Sequence, residues 1–238
     1  MFAFLLFAAV AVLPPESFTP DARGVFTCDL AKLGVEPEAG EYRSGGWTGV
    51  PEYPSLYFGA ELMTLAREPD AGWFMFAGED NVTVTNLPAS GYSMGGYWSQ
   101  DWAFEILRVE CVSNGVARFK DRHAFGIGRP SWGRKERRFY AVNHPDFLNA
   151  EGEWFLDRGK RTLAFIPPRG DIAAEPIRLV WGRKPVRGLY NENGKVVRGE
   201  TIAFGGGTGL ELRNCRDVLI ADCTIECVEG RGLVIGGD

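Results

Sequence analysis

The stretch Thr201-Ile-Ala-Phe204 returns in outline as Thr224-Ile-Glu-Cys227, and Gly207-Thr-Gly-Leu-Glu-Leu212 returns as Gly230-Arg-Gly-Leu-Val-Ile235. The shift between the copies is 23 positions (224 minus 201). Glycines and apolar residues keep the same register, and each period contains three short apolar patches. A fixed period of about this length is typical of stacked coils, in which short strands are joined by turns.

Stacking of successive coils predicts which side chains are neighbours. Ile202 should lie beneath Ile225, and Leu210 beneath Leu233. A leucine-rich repeat has a similar period, but its Leu-x-x-Leu-x-Leu frame is absent from this sequence. We therefore assign residues 195–238 to the first coils of a right-handed parallel β-helix.

Two coils are fewer than the three or so that a solenoid usually needs, and no polar cap follows the last apolar run. The sequence is therefore expected to be a fragment of a longer protein. An uncapped strand would expose apolar side chains and a free edge. Self-association, or fraying from the C-terminal end, is the expected consequence.

The preceding chain is rich in short β-strands. Apolar residues alternate or cluster in brief runs between turn-forming residues, as in Phe104-Glu-Ile-Leu-Arg-Val109. Glu153-Trp-Phe-Leu-Asp157 and Thr162-Leu-Ala-Phe-Ile166 flank a polar turn and predict a hairpin. The fold class is thus all-β, with a sandwich- or barrel-like domain over residues 22–180 ahead of the coils.

The N-terminal residues 1–15 contain an unbroken apolar run, Phe2–Leu13, which is too short to cross a bilayer as a helix. Its length and the small-x-small sequence Ala9-Val-Ala11 predict an export signal, and hence a secreted or periplasmic protein. No Lys or Arg precedes Arg23, so a wrongly assigned gene start is the alternative. No later segment is apolar enough to predict a membrane span.

Composition argues against several classes of partner. The net charge of −5 argues against nucleic acid, because binding to phosphates needs a basic patch. Five cysteines without a Cys-x-x-Cys, and two distant histidines, argue against a zinc site. No metal and no cofactor is expected. Aromatic residues make up 13% of the chain, which suits sugar binding and a β-sheet core equally well.

Several ordered motifs from about Val25 onward carry a resemblance to a known family. They are Asp29-Leu-Ala-Lys-Leu-Gly34, Leu62-Met-Thr-Leu-Ala-Arg67, Gly72-Trp73, Gly96-Tyr-Trp98, Asp101-Trp102, Phe139-Tyr140, Asn143, Gly152-Glu-Trp-Phe-Leu-Asp-Arg158 and Phe165-Ile-Pro-Pro168. In these motifs the sequence resembles glycoside hydrolase family 141, the fucosidase and xylanase type. Members of that family insert a β-rich domain before most of a right-handed parallel β-helix. Glu68 and Asn149-Ala-Glu151 depart from the family pattern.

The resemblance implies that residues 22–180 are such an inserted domain. It also implies that the parent protein is an exported glycoside hydrolase acting on plant or algal polysaccharide. Its catalytic carboxylates would project from coils beyond Asp238. We therefore expect no catalytic residue in this chain, which alone should be inactive. A polysaccharide lyase on the same fold and a non-catalytic carbohydrate-binding module are the alternatives. In each case the partner is a polysaccharide or an oligosaccharide.

Among the carboxylates of this chain, Asp101 lies between Trp98 and Trp102. The functional interpretation is a sugar platform beside an acid. The structural interpretation is a pair of core tryptophans with an Asp that caps backbone N–H groups. We favour the structural one, because buried tryptophans mostly serve packing.

Other charged residues also have structural interpretations. Glu153 and Asp157 share one face of a predicted strand and are expected to pair with Arg158 or Arg161. The remaining candidates are expected to be turn residues at coil corners, namely Asp217, Asp222 and Asp238, and a solvated basic loop over residues 129–138, which would alternatively contact acidic polysaccharide.

Overall fold

The computed structural model describes residues 9–37, 53–76, 81–128 and 137–237, and these residues are all-β. Two single-turn 3-10 helices interrupt the strands, at Pro15–Ser17 and Pro145–Phe147. Within these ranges, no helix has the length and apolar character that crossing a membrane requires.

The strands in chain order are β1 (Ala9–Leu13), β2 (Thr19–Pro20), β3 (Phe26–Asp29), β4 (Ser55–Phe58), β5 (Glu61–Leu62), β6 (Thr64–Leu65), β7 (Arg67–Glu68), β8 (Phe74–Phe76), β9 (Val82–Thr83), β10 (Ser93–Tyr97), β11 (Phe104–Ser113), β12 (Val116–Phe119), β13 (Arg137–Val142), β14 (Glu153–Asp157), β15 (Thr162–Phe165), β16 (Ile177–Trp181), β17 (Arg187–Tyr190), β18 (Val196–Arg198), β19 (Thr201–Gly205), β20 (Leu210–Arg213), β21 (Leu219–Ala221), β22 (Thr224–Val228) and β23 (Leu233–Gly236).

Strands β1 to β16 form three sheets. A four-stranded sheet has the order β1-β16-β4-β5, and a five-stranded sheet has the order β2-β3-β15-β14-β6. A seven-stranded sheet has the order β7-β13-β10-β11-β12-β9, with β8 also paired to β13. No sheet in the described ranges closes on itself. Of the two predicted architectures, the barrel is therefore wrong, and the domain is built from open sheets in layers.

The five-stranded sheet is the central layer. The predicted hairpin is confirmed, because β14 pairs with β15 from Trp154–Phe165 to Asp157–Thr162. Successive side chains of a strand point to opposite faces. Along β15, Leu163 and Phe165 accordingly belong to the core shared with the four-stranded sheet, whereas Ala164 belongs to the core of the seven-stranded sheet.

The described part of the N-terminal apolar run is the edge strand of the four-stranded sheet. Strand β1 pairs antiparallel with β16, from Ala9–Trp181 to Leu13–Ile177. Leu13 is fully buried in the core, whereas Val12 on the opposite face is 62% exposed. Residues 1–8 lie outside the described ranges, and the assignment of residues 1–15 to an export signal stays a prediction.

The C-terminal strands pair in parallel, in three ladders: β17-β20-β23, β18-β21 and β19-β22. The predicted register is confirmed, because Ile202 pairs with Ile225 and Leu210 with Leu233. The ladders begin at Arg187, ahead of the predicted boundary at residue 195. Lys184 and Val186 occupy the positions of the two glycines in the Gly-x-Gly of the later coils. Because these glycines are absent, the first coil is not recognised when the sequence is compared with itself at a shift of 23.

Left-handed backbone marks the corners of the coils. Asp217 and Asp222 have φ of 53° and 56°, which confirms that they are turn residues. One period earlier, Gly194 and Gly199 also have positive φ, and glycine and aspartate tolerate this conformation better than most residues. The same period relates two further pairs with positive φ, Asn191 with Asn214 and Phe204 with Cys227.

The apolar row of the ladders is covered in one coil and open in the next. Leu210 and Leu212 are 0% and 4% exposed, whereas Leu233 and Ile235 are 45% and 72% exposed. The difference follows from stacking, because β20 has a strand on each side and β23 has one only on the side of β20 in the described ladder. Fraying or self-association at this edge stays a prediction.

The ladders pack against the four-stranded sheet. The Tyr57 hydroxyl on β4 donates a hydrogen bond to Glu229, and its ring lies edge-on to Phe204. Burial, followed by the Glu229 carboxylate, raises the pKa of Tyr57, so the phenol stays a neutral donor. A Cβ at Gly206 would lie 2.2 Å from the carbonyl oxygen of Gly182. Only glycine therefore permits this close contact.

Candidate functional site

The outer face of the seven-stranded sheet carries a cluster of aromatic and arginine side chains. Tyr97 on β10 lies between Arg138 on β13 and Phe104 on β11, and Gly95 pairs with Tyr140. Residues that lie opposite one another in neighbouring strands have side chains on the same face. The consecutive strands β10 and β11 and the later strand β13 therefore present aromatic side chains to one patch of surface, while their alternate residues fill the core.

Trp73, just ahead of β8, completes the cluster. Its ring centroid lies 5.0 Å from that of Tyr140, 5.7 Å from that of Tyr97 and 6.4 Å from that of Phe104. Trp73 is 37% exposed, whereas the other three rings are half-buried. We name this patch the aromatic surface and define it by six residues, Arg67, Trp73, Tyr97, Phe104, Arg138 and Tyr140.

Gly95 forms the floor between two of the rings. A Cβ at this position would lie 2.8 Å from the ring of Phe104 and 3.0 Å from the ring of Tyr140. Any larger residue would have to push the rings apart. The glycine thus allows aromatic side chains of β11 and β13 to approach each other across β10, with a centroid separation of 6.0 Å.

Both arginines are held over aromatic rings. The Arg138 guanidinium carbon lies 4.1 Å from the centroid of Tyr97 and 5.4 Å from that of Trp73. The Arg67 guanidinium carbon lies 4.1 Å from the centroid of Tyr140, and its Nη2 donates to the carbonyl of Gly72. Cation–π contacts fix both guanidinium groups, and hydrogen bonds to Gly72 for Arg67 and to Asp101 for Arg138 add to them. Polar donors therefore flank the rings in defined positions.

Asp101 lies beside the aromatic surface, whereas the tryptophans on either side of it in sequence lie elsewhere. Its Oδ1 accepts a hydrogen bond from Arg138 Nη1 at 2.6 Å. Trp98 is fully buried and donates from Nε1 to the carbonyl of Glu105, which is the structural role we favoured for it. Trp102 is 44% exposed and packs edge-on against Phe125, so the expected second core tryptophan is wrong.

Sequence reasoning considered Asp101 and favoured a structural role for it, and it missed both its partner Arg138 and the rings next to it. The sequence analysis named Trp73 and Tyr140 only as parts of family motifs. It considered Trp98 as a sugar-binding residue but not its neighbour Tyr97. Strand alternation is the signal that would have separated Tyr97 from Trp98, since adjacent residues of a strand face opposite sides. No local signal indicates that Trp73 meets Tyr97, because that contact depends on the pairing of β8 and β10 with β13.

Glu153 is a buried structural carboxylate. Its Oε1 accepts from the backbone N–H of Arg67, and its Oε2 accepts from the backbone N–H groups of Asn149 and Ala150. Burial raises its pKa, and these hydrogen bonds oppose that shift. The expected ion pair with Arg158 or Arg161 is wrong for Glu153, because its carboxylate is turned inward to the backbone.

Asp157 and Arg161 have other partners at the turn of the hairpin. Asp157 accepts from the backbone N–H of Lys160, and its carboxylate lies 3.4 Å from Lys160 Nζ. Arg161 Nη1 lies 2.5 Å from Glu36 Oε1, at a site well separated from Glu153 in the strand register. Neither carboxylate of β14 therefore makes the ion pair with Arg161 that the sequence suggested.

Glu105 and His123 form a buried titratable pair behind the aromatic surface. Glu105 is 2% exposed, and its Oε2 lies 3.9 Å from His123 Nδ1, too far for a hydrogen bond. Neither imidazole nitrogen has a hydrogen-bond partner within the described ranges. Burial beside Trp98 and Phe119 lowers the pKa of His123 to about 4, and burial raises the pKa of Glu105. Both groups are thus held towards their neutral forms.

Replacing His123 with phenylalanine should remove part of the acid sensitivity of the fold. Because the folded pKa is about 4 and the unfolded value 6.5, stability is lost as pH falls from 6.5 towards 4. The full contribution is roughly 3 kcal/mol at about 1.36 kcal/mol per pKa unit. Urea unfolding at several pH values should show a flatter acid limb for His123→Phe. A His144→Phe control, at a half-buried imidazole beside Asp146, should retain most of the slope; equal slopes for wild type and His123→Phe would contradict the assignment.

The remaining candidates fall partly outside the described ranges. Asp238 and residues 129–136 of the basic loop are not among the described residues. Arg137 is buried, with its guanidinium carbon 4.7 Å from the centroid of Phe76. All five cysteines are free thiols. In the described part of the chain, no group of three or more His, Cys, Asp or Glu side chains is placed to hold a metal ion.

Comparison with known proteins yields one likeness of fold. No protein-family model and no curated protein matches the chain. Among solved structures, the chain is similar to a protein described as a glycoside hydrolase, with a TM-score of 0.51 and 14% sequence identity. The similarity covers 87% of this chain and 35% of that protein. The chain thus spans about a third of the length of the hydrolase, and at this identity the likeness shows the fold alone.

Proposed function

We propose that this chain is part of an exported glycoside hydrolase that acts on plant or algal polysaccharide, and that the aromatic surface binds the saccharide. The observation that carries the proposal is the exposed ring of Trp73, held over Tyr97 and Tyr140 with a fixed arginine on each side. Pyranose rings have apolar C–H faces and polar rims. Aromatic rings flanked by a few well-placed polar groups match both parts.

The parallel ladders support the same proposal. We infer that they are the beginning of a right-handed parallel β-helix, because three ladders share one register of 23 residues. Connections between parallel strands are right-handed in nearly all known cases, for steric reasons. The similarity to a glycoside hydrolase and the ordered motifs of family 141 then suggest the substrate class. In this proposal the ladders lead towards the catalytic coils, and the aromatic surface holds a substrate chain.

Replacing Trp73 with alanine should weaken saccharide binding by about tenfold, the equivalent of the roughly 1.4 kcal/mol that one stacked aromatic contributes. Binding would be measured by affinity electrophoresis and calorimetry with a panel of neutral hemicellulose and pectic oligosaccharides. Trp102→Ala is the matched control, because Trp102 is similarly exposed and packs on Phe125 away from the cluster. Equal losses in both variants, or no binding by the unmodified chain, would contradict the proposal.

The same panel tests where the catalytic groups lie. If the catalytic carboxylates lie beyond Asp238, the chain should bind saccharide without releasing reducing sugar. Turnover that is lost in Asp101→Asn would instead place an acid of the reaction beside the aromatic surface.

A further inference from the structure

The two arginines of the aromatic surface differ in their electrostatic partners. Arg138 Nη1 lies 2.6 Å from Asp101 Oδ1, so a carboxylate balances its positive charge. The hydrogen bonds of the Arg67 guanidinium go to the backbone instead, from Nε to the carbonyl of Pro69 and from Nη2 to that of Gly72. Among the described residues, no carboxylate pairs with this guanidinium. Arg67 therefore carries the uncompensated positive charge of the aromatic surface.

The guanidinium of Arg67 also has donors that the protein does not use. Of the five N–H groups of a guanidinium, two donate to the carbonyls of Pro69 and Gly72 and three remain. Both N–H groups of Nη1 are among the remaining three. They meet no acceptor in the described part of the chain, and Nη1 is open to solvent. Free guanidinium donors of this kind match the oxygens of a carboxylate or a sulfate group.

The free donors lie beside the exposed ring of Trp73. The guanidinium carbon of Arg67 lies 4.1 Å from the centroid of Tyr140, and that centroid lies 5.0 Å from the centroid of Trp73. The hydrogen bond to Gly72 also ties Arg67 to the residue that precedes Trp73. The hydroxyls of Tyr97 and Tyr140 make no hydrogen bond within the described ranges and are open to solvent. The surface thus combines a stacking ring, two free hydroxyls and one free cation.

We propose that Arg67 makes the aromatic surface selective for an acidic sugar. The sugar ring stacks on Trp73, and its carboxylate or sulfate group accepts hydrogen bonds from the free N–H groups of Arg67. Arg138 contributes little to the preference, because Asp101 balances its charge. A saccharide as ligand rests on the proposed function, whereas the preference for an anion rests on the uncompensated charge of Arg67.

Pairs of ligands that differ in charge alone test the preference. Calorimetric titration of the chain compares an oligogalacturonate with its methyl ester, and a sulfated oligogalactan with the unsulfated form. In at least one pair, the acidic ligand should bind about tenfold more tightly, as expected for a hydrogen bond to a charged group. This ratio should fall as salt is added, because salt screens exposed charges. The pair that shows the ratio identifies a carboxylate or a sulfate site, and equal affinities within both pairs would overturn the proposal.

Two variants locate the preference at Arg67. Arg67→Gln should bring the ratio of acidic to neutral affinity close to one. The matched control is Arg231→Gln, at an exposed arginine between β22 and β23 that forms no ion pair with a described residue, and it should keep the full ratio. A ratio that is unchanged in Arg67→Gln, or that falls equally in the control, would exclude Arg67.

Asp101→Asn tests the same charge with the opposite sign. The amide oxygen can still accept from Arg138, but the negative charge beside the surface is lost. Affinity for the acidic ligand should therefore rise by about threefold or more, with little change for its neutral counterpart. This variant leaves the contacts of Arg67 with Pro69 and Gly72 in place, so it decides the question even if Arg67→Gln does not fold. An unchanged affinity for the acidic ligand would place the anion away from the aromatic surface and overturn the proposal.

Trp73→Ala separates this proposal from the proposed function. Both members of a ligand pair stack on the ring, so the variant should weaken both by a similar factor and keep their ratio. If it weakens both and the acidic ligand has no advantage, the saccharide site stands and the selectivity given to Arg67 is excluded. If the advantage depends on Arg67 while Trp73→Ala changes no affinity, the anion contact stands and the stacking role of the aromatic surface is excluded.

Discussion

Leu210→Ala should lower the free energy of unfolding of the C-terminal ladders by about 2–5 kcal/mol, the usual cost of truncating a fully buried leucine. Leu210 is 0% exposed and lies between Arg187 and Leu233 in the central strand of its ladder. The loss combines the apolar surface that is no longer buried with the cavity left behind. Denaturant unfolding gives the size of the effect. Hydrogen exchange at the amides of β20 and β23 shows whether the ladders open before the rest of the fold.

The repeat supplies its own control for this prediction. Leu233 is the same residue one coil later and is 45% exposed. Leu233→Ala should therefore cost about 1 kcal/mol or less, because little buried area is removed. Similar costs for both variants would mean that the two coils are covered alike, which the register and exposure of β23 do not allow.

Glu153→Ala should destabilise the sheet domain by at least about 3 kcal/mol. The carboxylate accepts hydrogen bonds from three backbone N–H groups in two segments, that of Arg67 and those of the adjacent residues Asn149 and Ala150. Truncation leaves these donors without their partner in a buried site, at about 1–3 kcal/mol for each. Asp157→Ala, on the same strand but partly exposed and paired with Lys160, should cost about 1 kcal/mol or less. Chemical unfolding of both variants measures the difference, and equal costs would contradict the role given to Glu153.

The same residue predicts a pH dependence. Burial raises the pKa of Glu153 above its unfolded value, so the stability that its protonated form contributes is fully present below the unfolded pKa. That contribution is lost as pH rises through the folded pKa. Glu153→Gln cannot ionise and should lack this part of the pH profile. Its amide also presents an N–H₂ group to the donors around it, so it should be less stable than wild type at every pH, though more stable than Glu153→Ala.

The parts of the fold that the sequence predicted correctly are those set by neighbouring or regularly spaced residues. The β14–β15 hairpin depends on two alternating runs joined by a short turn, and β20 and β23 repeat one pattern at a constant interval. Asp217 and Asp222 were recognised as turn residues because their side chains favour that backbone. The coil at Arg187 was missed, because it pairs in register without carrying the glycines of the repeat.

Sequence alone also misjudged the partners of individual charged residues. Glu153 was expected to form an ion pair, yet its strand position turns it inward to backbone donors. Asp101 was considered with Trp98 and Trp102, whereas its partner is Arg138 on a strand that follows much later in the chain. Proximity along the chain is a poor guide for such contacts, since strand pairing places distant residues side by side.

The sequence by itself therefore determined the all-β class, the hairpin and the register of the parallel ladders. Each of these depends on periodicity over a short range or at a fixed interval, and the physical preferences of a strand or turn are sufficient to produce it. Only the tertiary structure decided the layering of open sheets and the aromatic surface. Trp73, Tyr97 and Tyr140 meet because β8 and β10 both pair with β13. Burial across these layers selects that arrangement, and burial is a property of the whole chain that no single segment encodes.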